Sequence, residues 1–210
     1  MDEVKLENSL DKTAKTASAV LHPIFIPLYG LMLVFSLPTL YGYIPFPVKK
    51  LLVIMILVNN IALPLFMLLF LKAKRHIMSW EMESRRERML PLFFVTLLYA
   101  ITSYIVIKYP TPIFIKTYFI GVFFISASIT IINNWWKISI HAAGMGALTA
   151  LALILSLRMY SVTALPLMAV VTLSGVVLFS RLRLNYHTPA QVWCGFLLGF
   201  AGLDVICRLL

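Results

Sequence analysis

Acidic residues and cysteines are scarce in this sequence. Asp and Glu number only eight among 210 residues, and no cluster of them is present that would hold a pair of metal ions. Any hydrolytic chemistry is therefore expected to proceed without a metal or another cofactor. The two cysteines, Cys194 and Cys207, fit neither a CxxC nor a metal-binding spacing, so they give no indication of a redox compartment.

Charge of either sign is also low, whereas apolar residues are abundant. Charged residues make up 12% of the chain and hydrophobic residues 61%, with a mean hydropathy of +0.93. Soluble domains of this size carry about 25% charged and about 45–50% apolar residues. The excess apolar surface excludes an ordinary soluble domain and predicts an integral membrane protein, expected in a bacterial cytoplasmic membrane.

The apolar residues fall into seven segments, each long enough to cross a bilayer core as a helix. We therefore predict an all-α, polytopic transmembrane helical bundle of about six to seven spans. Residues 1–16 are predicted to be a polar lead-in rather than a signal peptide, and 17–210 a single transmembrane domain. The predicted spans are Ala17–Leu40, Leu51–Leu71, Leu92–Ile107, Ile113–Ile132, Ala142–Leu157, Val162–Phe179 and Pro189–Leu210.

The formal net charge of +10 is interpreted as a membrane feature rather than as a sign of nucleic acid binding. Basic residues in the connectors of a membrane protein set its orientation and contact the headgroups of membrane lipids. Twelve of the 18 lysines and arginines fall on one predicted side, which favours the cytoplasm for that side.

Three polar connectors are predicted to lie on one membrane face, because two spans separate each from the next. They follow the second, fourth and sixth spans, and the connectors on the opposite face are short and chemically plain. Arginine and lysine suit phosphate oxygens, and two imidazoles can supply a nucleophile and a general acid. The candidate residues are Arg88, Lys137, Ser139, His141, Arg181 and His187. His22 and His76 are interpreted as incidental.

The spacing near the last span is similar to a motif of the type 2 phosphatidic acid phosphatase family, also called the lipid phosphate phosphatases. The family's third motif is S-R-x5-H-x3-D, and Ser180, Arg181, His187 and Gln191 occupy its places in SRLRLNYHTPAQ. The motif is complete through the histidine. The resemblance covers roughly Arg85 to Gly199.

Two further motifs of the family are approximated in the same order along the chain. P-S-G-H corresponds to Lys137-Ile-Ser139-Ile-His141, which keeps the serine and the histidine but has isoleucine for glycine. K-x6-R-P is matched only loosely around Arg88, because Pro91 lies two residues too far along and Glu81 stands where the lysine is expected.

The resemblance implies a role for each candidate residue. His187 is the implied nucleophile, forming a phosphohistidine, and His141 the general acid. Phosphoryl oxygens are held by Arg88, Lys137, Ser139 and Arg181. The implied substrate is a lipid phosphate monoester or diphosphate, such as phosphatidic acid, phosphatidylglycerol phosphate or a polyprenyl diphosphate. The family usually places its site on the extracytoplasmic face, opposite to the indication from the charge bias, so both faces stay open.

Gln191 is the main departure from the family. The family has an aspartate at this position, which orients its partner histidine and stabilises the positive charge on it. A glutamine four residues after His187 still accepts a hydrogen bond on a helix but supplies no charge. One alternative is therefore a weak or inactive relative that binds phosphorylated lipid. A second alternative is a small transporter whose polar path is lined by Asn59, Asn60, Asn133 and Asn134. The sequence gives no indication of oligomeric state.

Overall fold

The computed structural model describes residues 2–80, 82, 84–158 and 164–210. Within these ranges the backbone forms helices joined by short turns. The α-helices are α1 (Asp2–Val20), α2 (Ile26–Ser36), α3 (Phe46–Met55), α4 (Leu63–Ala73), α5 (Arg85–Lys108), α6 (Ile113–Ile132), α7 (Ile140–Arg158), α8 (Leu165–Arg183) and α9 (Pro189–Leu209).

Seven helical segments of the described chain are long and apolar enough to cross a membrane. They are Glu7–Ser36, Phe46–Ala73, Arg85–Lys108, Ile113–Ile132, Ile140–Leu157, Leu165–Arg183 and Pro189–Leu209. The prediction of a helical chain with seven such segments is confirmed for the described residues. Three positions of the sequence analysis lie outside the described residues. They are Glu81, Val162, where the sixth span was predicted to start, and 159–161 in the predicted connector before it.

The first span differs from the single helix predicted over Ala17–Leu40. Helix α1 ends at Val20, a 3-10 turn follows at Pro23–Phe25, and α2 ends at Ser36. Proline disfavours the helical conformation of the residue before it, and His22 is extended, with φ −65° and ψ 139°. The His22–Pro23 dipeptide therefore divides this span into two helices.

Helix α1 includes the segment predicted as a polar lead-in. It packs against α8, with Ala14 and Ser18 buried. The Arg183 Nε donates to Asp11 Oδ1 at 2.9 Å, which joins α1 to the end of α8. The N-terminal segment is thus attached to the connector that precedes α9.

The second span contains a π-helical segment, Ile56–Ala62, between α3 and α4. Pro64 lies two residues after this segment, and a proline cannot donate the hydrogen bond that the carbonyl four residues earlier normally accepts. The helix widens before this proline instead of breaking, so the Leu63 N–H bonds to the Val58 carbonyl.

Helix α7 lies at the centre of the bundle and approaches α9 closely. Two glycines one helical turn apart on α9, Gly195 and Gly199, permit this approach. A Cβ added to Gly195 would lie 2.6 Å from the Ser139 carbonyl oxygen, and one added to Gly199 would collide with the Ala143 carbonyl oxygen. Small residues at this spacing let the backbones of membrane helices meet. The contact brings the first turn of α7 beside the first turn of α9.

Gly199→Ala is expected to destabilise the protein by about 2–3 kcal/mol, because the added methyl group overlaps backbone atoms that cannot move aside without separating the helices. The thermal unfolding temperature of the detergent-solubilised protein measures this effect. Gly175→Ala on α8 is the matched control. No described atom lies within 4 Å of its added Cβ, so its unfolding temperature should equal or slightly exceed that of the wild type. Equal unfolding temperatures for the two variants would contradict the close approach.

Candidate functional site

The three polar connectors are joined to one another by hydrogen bonds at one end of the bundle. The Arg85 side chain donates to the Asn134 carbonyl at 3.0 Å, and the Asn133 amide donates to the Arg85 carbonyl at 3.1 Å. The Ser139 N–H donates to the Gln191 carbonyl at 3.2 Å. The starts of α5 and α9 and the connector between α6 and α7, which are far apart in the chain, therefore meet at the same end.

His187 lies in the connector before α9 and is held by Gln191. The His187 Nδ1 and Gln191 Oε1 atoms are 2.9 Å apart, and the Thr188 N–H also donates to Oε1, at 3.2 Å. Of the two ends of the Gln191 amide, only the oxygen can accept a backbone N–H, so the atom that faces His187 is the amide oxygen. The Nδ1 of His187 must then donate, which leaves the lone pair on Nε2.

The position of Gln191 follows from the local sequence. Thr188 begins α9 as its N-cap and Gln191 is the third helical residue, so the two form a reciprocal capping box. Thr-x-x-Gln is a known sequence signature for this arrangement. The same capping box that starts α9 therefore fixes which end of the amide faces the imidazole.

The surroundings of His187 disfavour its charged form. The side chain is 7% exposed, and burial together with the positive charges of Arg88, Arg181 and Lys137 lowers its pKa to about 4. The hydrogen bond to Gln191 acts in the opposite direction. The imidazole is therefore neutral at neutral pH and keeps a lone pair.

Two buried guanidinium groups and one half-buried ammonium group converge near this imidazole. Arg88 and Arg181 are each 4% exposed and lie within electrostatic range of each other. The Arg88 Nε donates to the Met82 carbonyl at 2.7 Å, and the Arg181 guanidinium lies 4.5 Å from the ring centre of Tyr186. Lys137 is half-buried. The arrangement concentrates positive charge beside His187, as an anion site requires.

Ser139 is fully buried and caps the first turn of α7, where its hydroxyl oxygen accepts from the Ala142 N–H at 3.3 Å. A hydroxyl group that accepts one bond still has a proton to donate. Its position at the start of a 19-residue helix also favours a nearby anion. The structure thus places Ser139 at the same end of the bundle as the cations.

His141 lies in the first turn of α7, and its contacts come from the N-terminal segment. Its Nε2 is 3.2 Å from the Ser18 carbonyl oxygen, and its ring centre is 5.1 Å from that of His22. His141 also lies within electrostatic range of Arg181 and His187. All seven residues predicted for the site are therefore at one end of the bundle.

His22 was interpreted as incidental from the sequence, and the structure places it beside His141. Counting spans would have assigned it to the face that carries the polar connectors, because it lies near the start of the first span. His76, in contrast, is exposed and lies near the Lys74 carbonyl.

The four asparagines considered for a polar path lie in two separate groups. Asn59 and Asn60 bond to Thr102 on α5 inside the bundle, whereas Asn133 and Asn134 bond to backbone carbonyls at the end of α6 and the start of α5. The first group joins helices inside the bundle, and the second satisfies backbone carbonyls at helix ends.

Within the described residues, no three His, Cys, Asp or Glu side chains lie close enough together to hold a metal ion. No protein-family model, curated protein or solved structure matches the chain.

His187 is expected to titrate at a lower pH than an ordinary histidine, because it is buried among positive charges. Its pKa of about 4 lies below the ordinary 6.5, so the unfolded chain binds this proton more readily than the folded protein between those two values. The contribution of His187 to the free energy of unfolding should therefore fall as the pH decreases from about 6.5 to about 4. Histidine NMR of the ¹⁵N-labelled protein measures the pKa directly.

Arg88→Gln and Arg88→Lys separate charge from packing in this titration. The Gln variant should raise the pKa of His187, because it removes the positive charge that lowers this pKa most. The Lys variant keeps a positive charge and should raise the pKa less. Equal pKa values in the wild type and the Gln variant would show that Arg88 does not act on this imidazole.

Proposed function

We propose that the protein is a membrane phosphatase that hydrolyses a lipid phosphate monoester or diphosphate through a phosphohistidine. The observation that carries the proposal is the state of His187. Gln191 and Thr188 hold the tautomer whose Nε2 lone pair is available, and the cations Arg88, Arg181 and Lys137 lie around it. A neutral imidazole beside positive charge suits attack on an anionic phosphorus centre.

In the first step the Nε2 lone pair of His187 forms a bond to phosphorus. The bond between phosphorus and the ester oxygen breaks, and its electrons remain on the oxygen, which takes a proton from His141. The negative charge of the bound phosphate favours the imidazolium form of His141 that this step requires. In the second step neutral His141 takes a proton from water, the resulting hydroxide attacks phosphorus, and the P–N electrons return to His187. Phosphate is released and both imidazoles regain their initial states.

The position of the site supports a lipid substrate. Arg88 and His141 lie in the first turns of helices that are apolar enough to cross a membrane, and Arg181 lies in the last turn of another. This is the depth of lipid headgroups. A substrate with its tail in the bilayer presents its phosphate at that depth.

Phosphate release from a panel of lipid phosphates by the purified protein in nanodiscs tests the proposal. Phosphatidic acid, phosphatidylglycerol phosphate and a polyprenyl diphosphate make up the panel, with glycerol phosphate as the soluble comparison. Activity on at least one lipid in the presence of a chelator is the expected result. Absence of release from every substrate would contradict the proposed function.

A second candidate, a phosphorylated-lipid binder with little or no turnover, is favoured by one observation. The residue that bonds His187 is a neutral amide, whereas the family resemblance implies a carboxylate. A neutral partner orients the imidazole without stabilising its positive charge. Tight binding of a lipid phosphate without phosphate release would favour this candidate.

A further inference from the structure

The general acid candidate His141 is oriented by the N-terminal segment rather than by a carboxylate. Its Nε2 lies 3.2 Å from the Ser18 carbonyl oxygen. A carbonyl oxygen only accepts hydrogen bonds, so Nε2 carries the proton in this contact. The nitrogen left for chemistry is then Nδ1, whereas in His187 it is Nε2.

The Ser18 carbonyl is available because α1 ends just beyond it. Helix α1 ends at Val20, and the last four carbonyls of a helix have no partner within the helix. Pro23 enforces this end by holding His22 in an extended conformation. The C-terminal end of α1 therefore presents a hydrogen-bond acceptor to His141.

The His22 ring supplies a second contact to His141. The ring centres are 5.1 Å apart and the ring planes are nearly perpendicular, at 86°. His22 is itself fixed, because its Nδ1 accepts from the Ile24 N–H at 3.3 Å at the start of the 3-10 turn. A fixed ring at this distance restricts rotation of the His141 imidazole.

We propose that His22 and the Ser18 carbonyl are the positioning groups of His141, so that the break in the first span forms part of the site. The catalytic consequence rests on the proposed function: with Nε2–H bound to Ser18, the imidazolium gives up its Nδ1 proton to the departing oxygen. After this transfer His141 is neutral in the Nε2–H tautomer, which the same carbonyl holds.

Histidine NMR of the ¹⁵N-labelled protein tests the positioning without any need for activity. The chain has four histidines, and single substitutions assign their signals. His141 is expected as the Nε2–H tautomer and His187 as the Nδ1–H tautomer. A His141 signal that is mainly Nδ1–H in the wild type would overturn the proposal.

His22→Asn is the informative variant, because asparagine also accepts the Ile24 N–H as an N-cap and so preserves the turn. It removes only the imidazole contact, and we expect the His141 signal to shift toward a mixture of tautomers. Ser18→Ala is the matched control, since it keeps the backbone carbonyl and should leave the His141 tautomer unchanged. An unchanged His141 signal in His22→Asn would also overturn the proposal.

A series of phosphate esters tests the catalytic consequence. General acid catalysis contributes about 10²–10⁴-fold in rate, and it matters most when the departing oxygen is strongly basic. His22→Asn should lower kcat/KM about tenfold for an alkyl phosphate but have little effect on p-nitrophenyl phosphate, whose leaving group needs no proton. A merely structural role of His22 would reduce kcat/KM equally for the two esters. That result would overturn the catalytic consequence of the proposal.

The two proposals fail in different ways. If the wild-type protein releases no phosphate from any ester, the proposed function fails and the tautomer of His141 still decides its positioning. If the wild type is active and His22→Asn lowers kcat/KM equally for all esters without changing the His141 signal, only the positioning proposal fails. The unfolding temperature of each variant identifies any loss that comes from misfolding.

Discussion

His187→Ala is expected to lower phosphate release by at least about 10⁴-fold, because it removes the group that attacks phosphorus. The side chain is buried, and Gln191 holds it in the one neutral tautomer with a free Nε2. The substitution should also abolish labelling of the protein by a ³²P-labelled substrate. Quenching in alkaline denaturant preserves the acid-labile P–N bond for this measurement.

The matched control for this experiment is His76→Ala. His76 is exposed, and its ring contacts the Lys74 carbonyl outside the cluster of site residues. This variant should keep the phosphate release and the labelling of the wild type. Labelling or turnover that survives in His187→Ala would assign the nucleophile to a different residue.

Gln191→Glu is expected to raise turnover at least about tenfold, since a carboxylate would stabilise the positive charge that His187 gains when it attacks. In the serine-protease triad, the corresponding loss of charge costs about 10⁴ in rate. Glutamate is nearly the same size as glutamine and is equally suited to the third position of a capping box. The start of α9 should therefore be preserved while the charge is added.

The same substitution should raise the pKa of His187 from about 4, because a nearby negative charge favours the imidazolium. A pH–rate profile and a histidine NMR titration measure the two effects separately. Gln191→Met is the matched control, since it keeps the length of the side chain but accepts no strong hydrogen bond. It should lower turnover and leave both tautomers of His187 populated.

An active phosphatase whose turnover does not increase in Gln191→Glu would contradict this account of Gln191, provided that the variant unfolds at the wild-type temperature. If the wild type is inactive and the Glu variant is active, the chain holds the groups for the reaction but lacks the charge. That outcome would favour the second candidate function, in which the wild-type protein binds phosphorylated lipid with little or no turnover.

The sequence predicted the helical segments well because hydropathy is a property of consecutive residues. The fourth span, Ile113–Ile132, has the predicted bounds, and the seventh, Pro189–Leu209, differs by one residue. The first span was predicted less well. Its apolar residues run through His22–Pro23, so composition alone did not show that the backbone turns there.

The sequence predicted that the candidate residues would lie near one another, because this follows from spacing within a helix and from counting spans. Four residues along a helix bring Gln191 to the ring of His187. Counting spans places the connectors with Arg88, Lys137 and Arg181 on one face. Counting spans also places His22 on this face, but its contact with His141 was missed because it joins residues more than a hundred positions apart. No periodicity reports such a pair.

By itself the sequence determined a membrane bundle with its polar connectors at one end, because the cost of placing charge in lipid acts on each segment separately. Only the tertiary structure decided which distant groups touch: the glycines of α9 against α7, and the end of α1 against His141. These contacts depend on how helices approach one another, which is set by side-chain shape across the whole bundle rather than by any one stretch of chain.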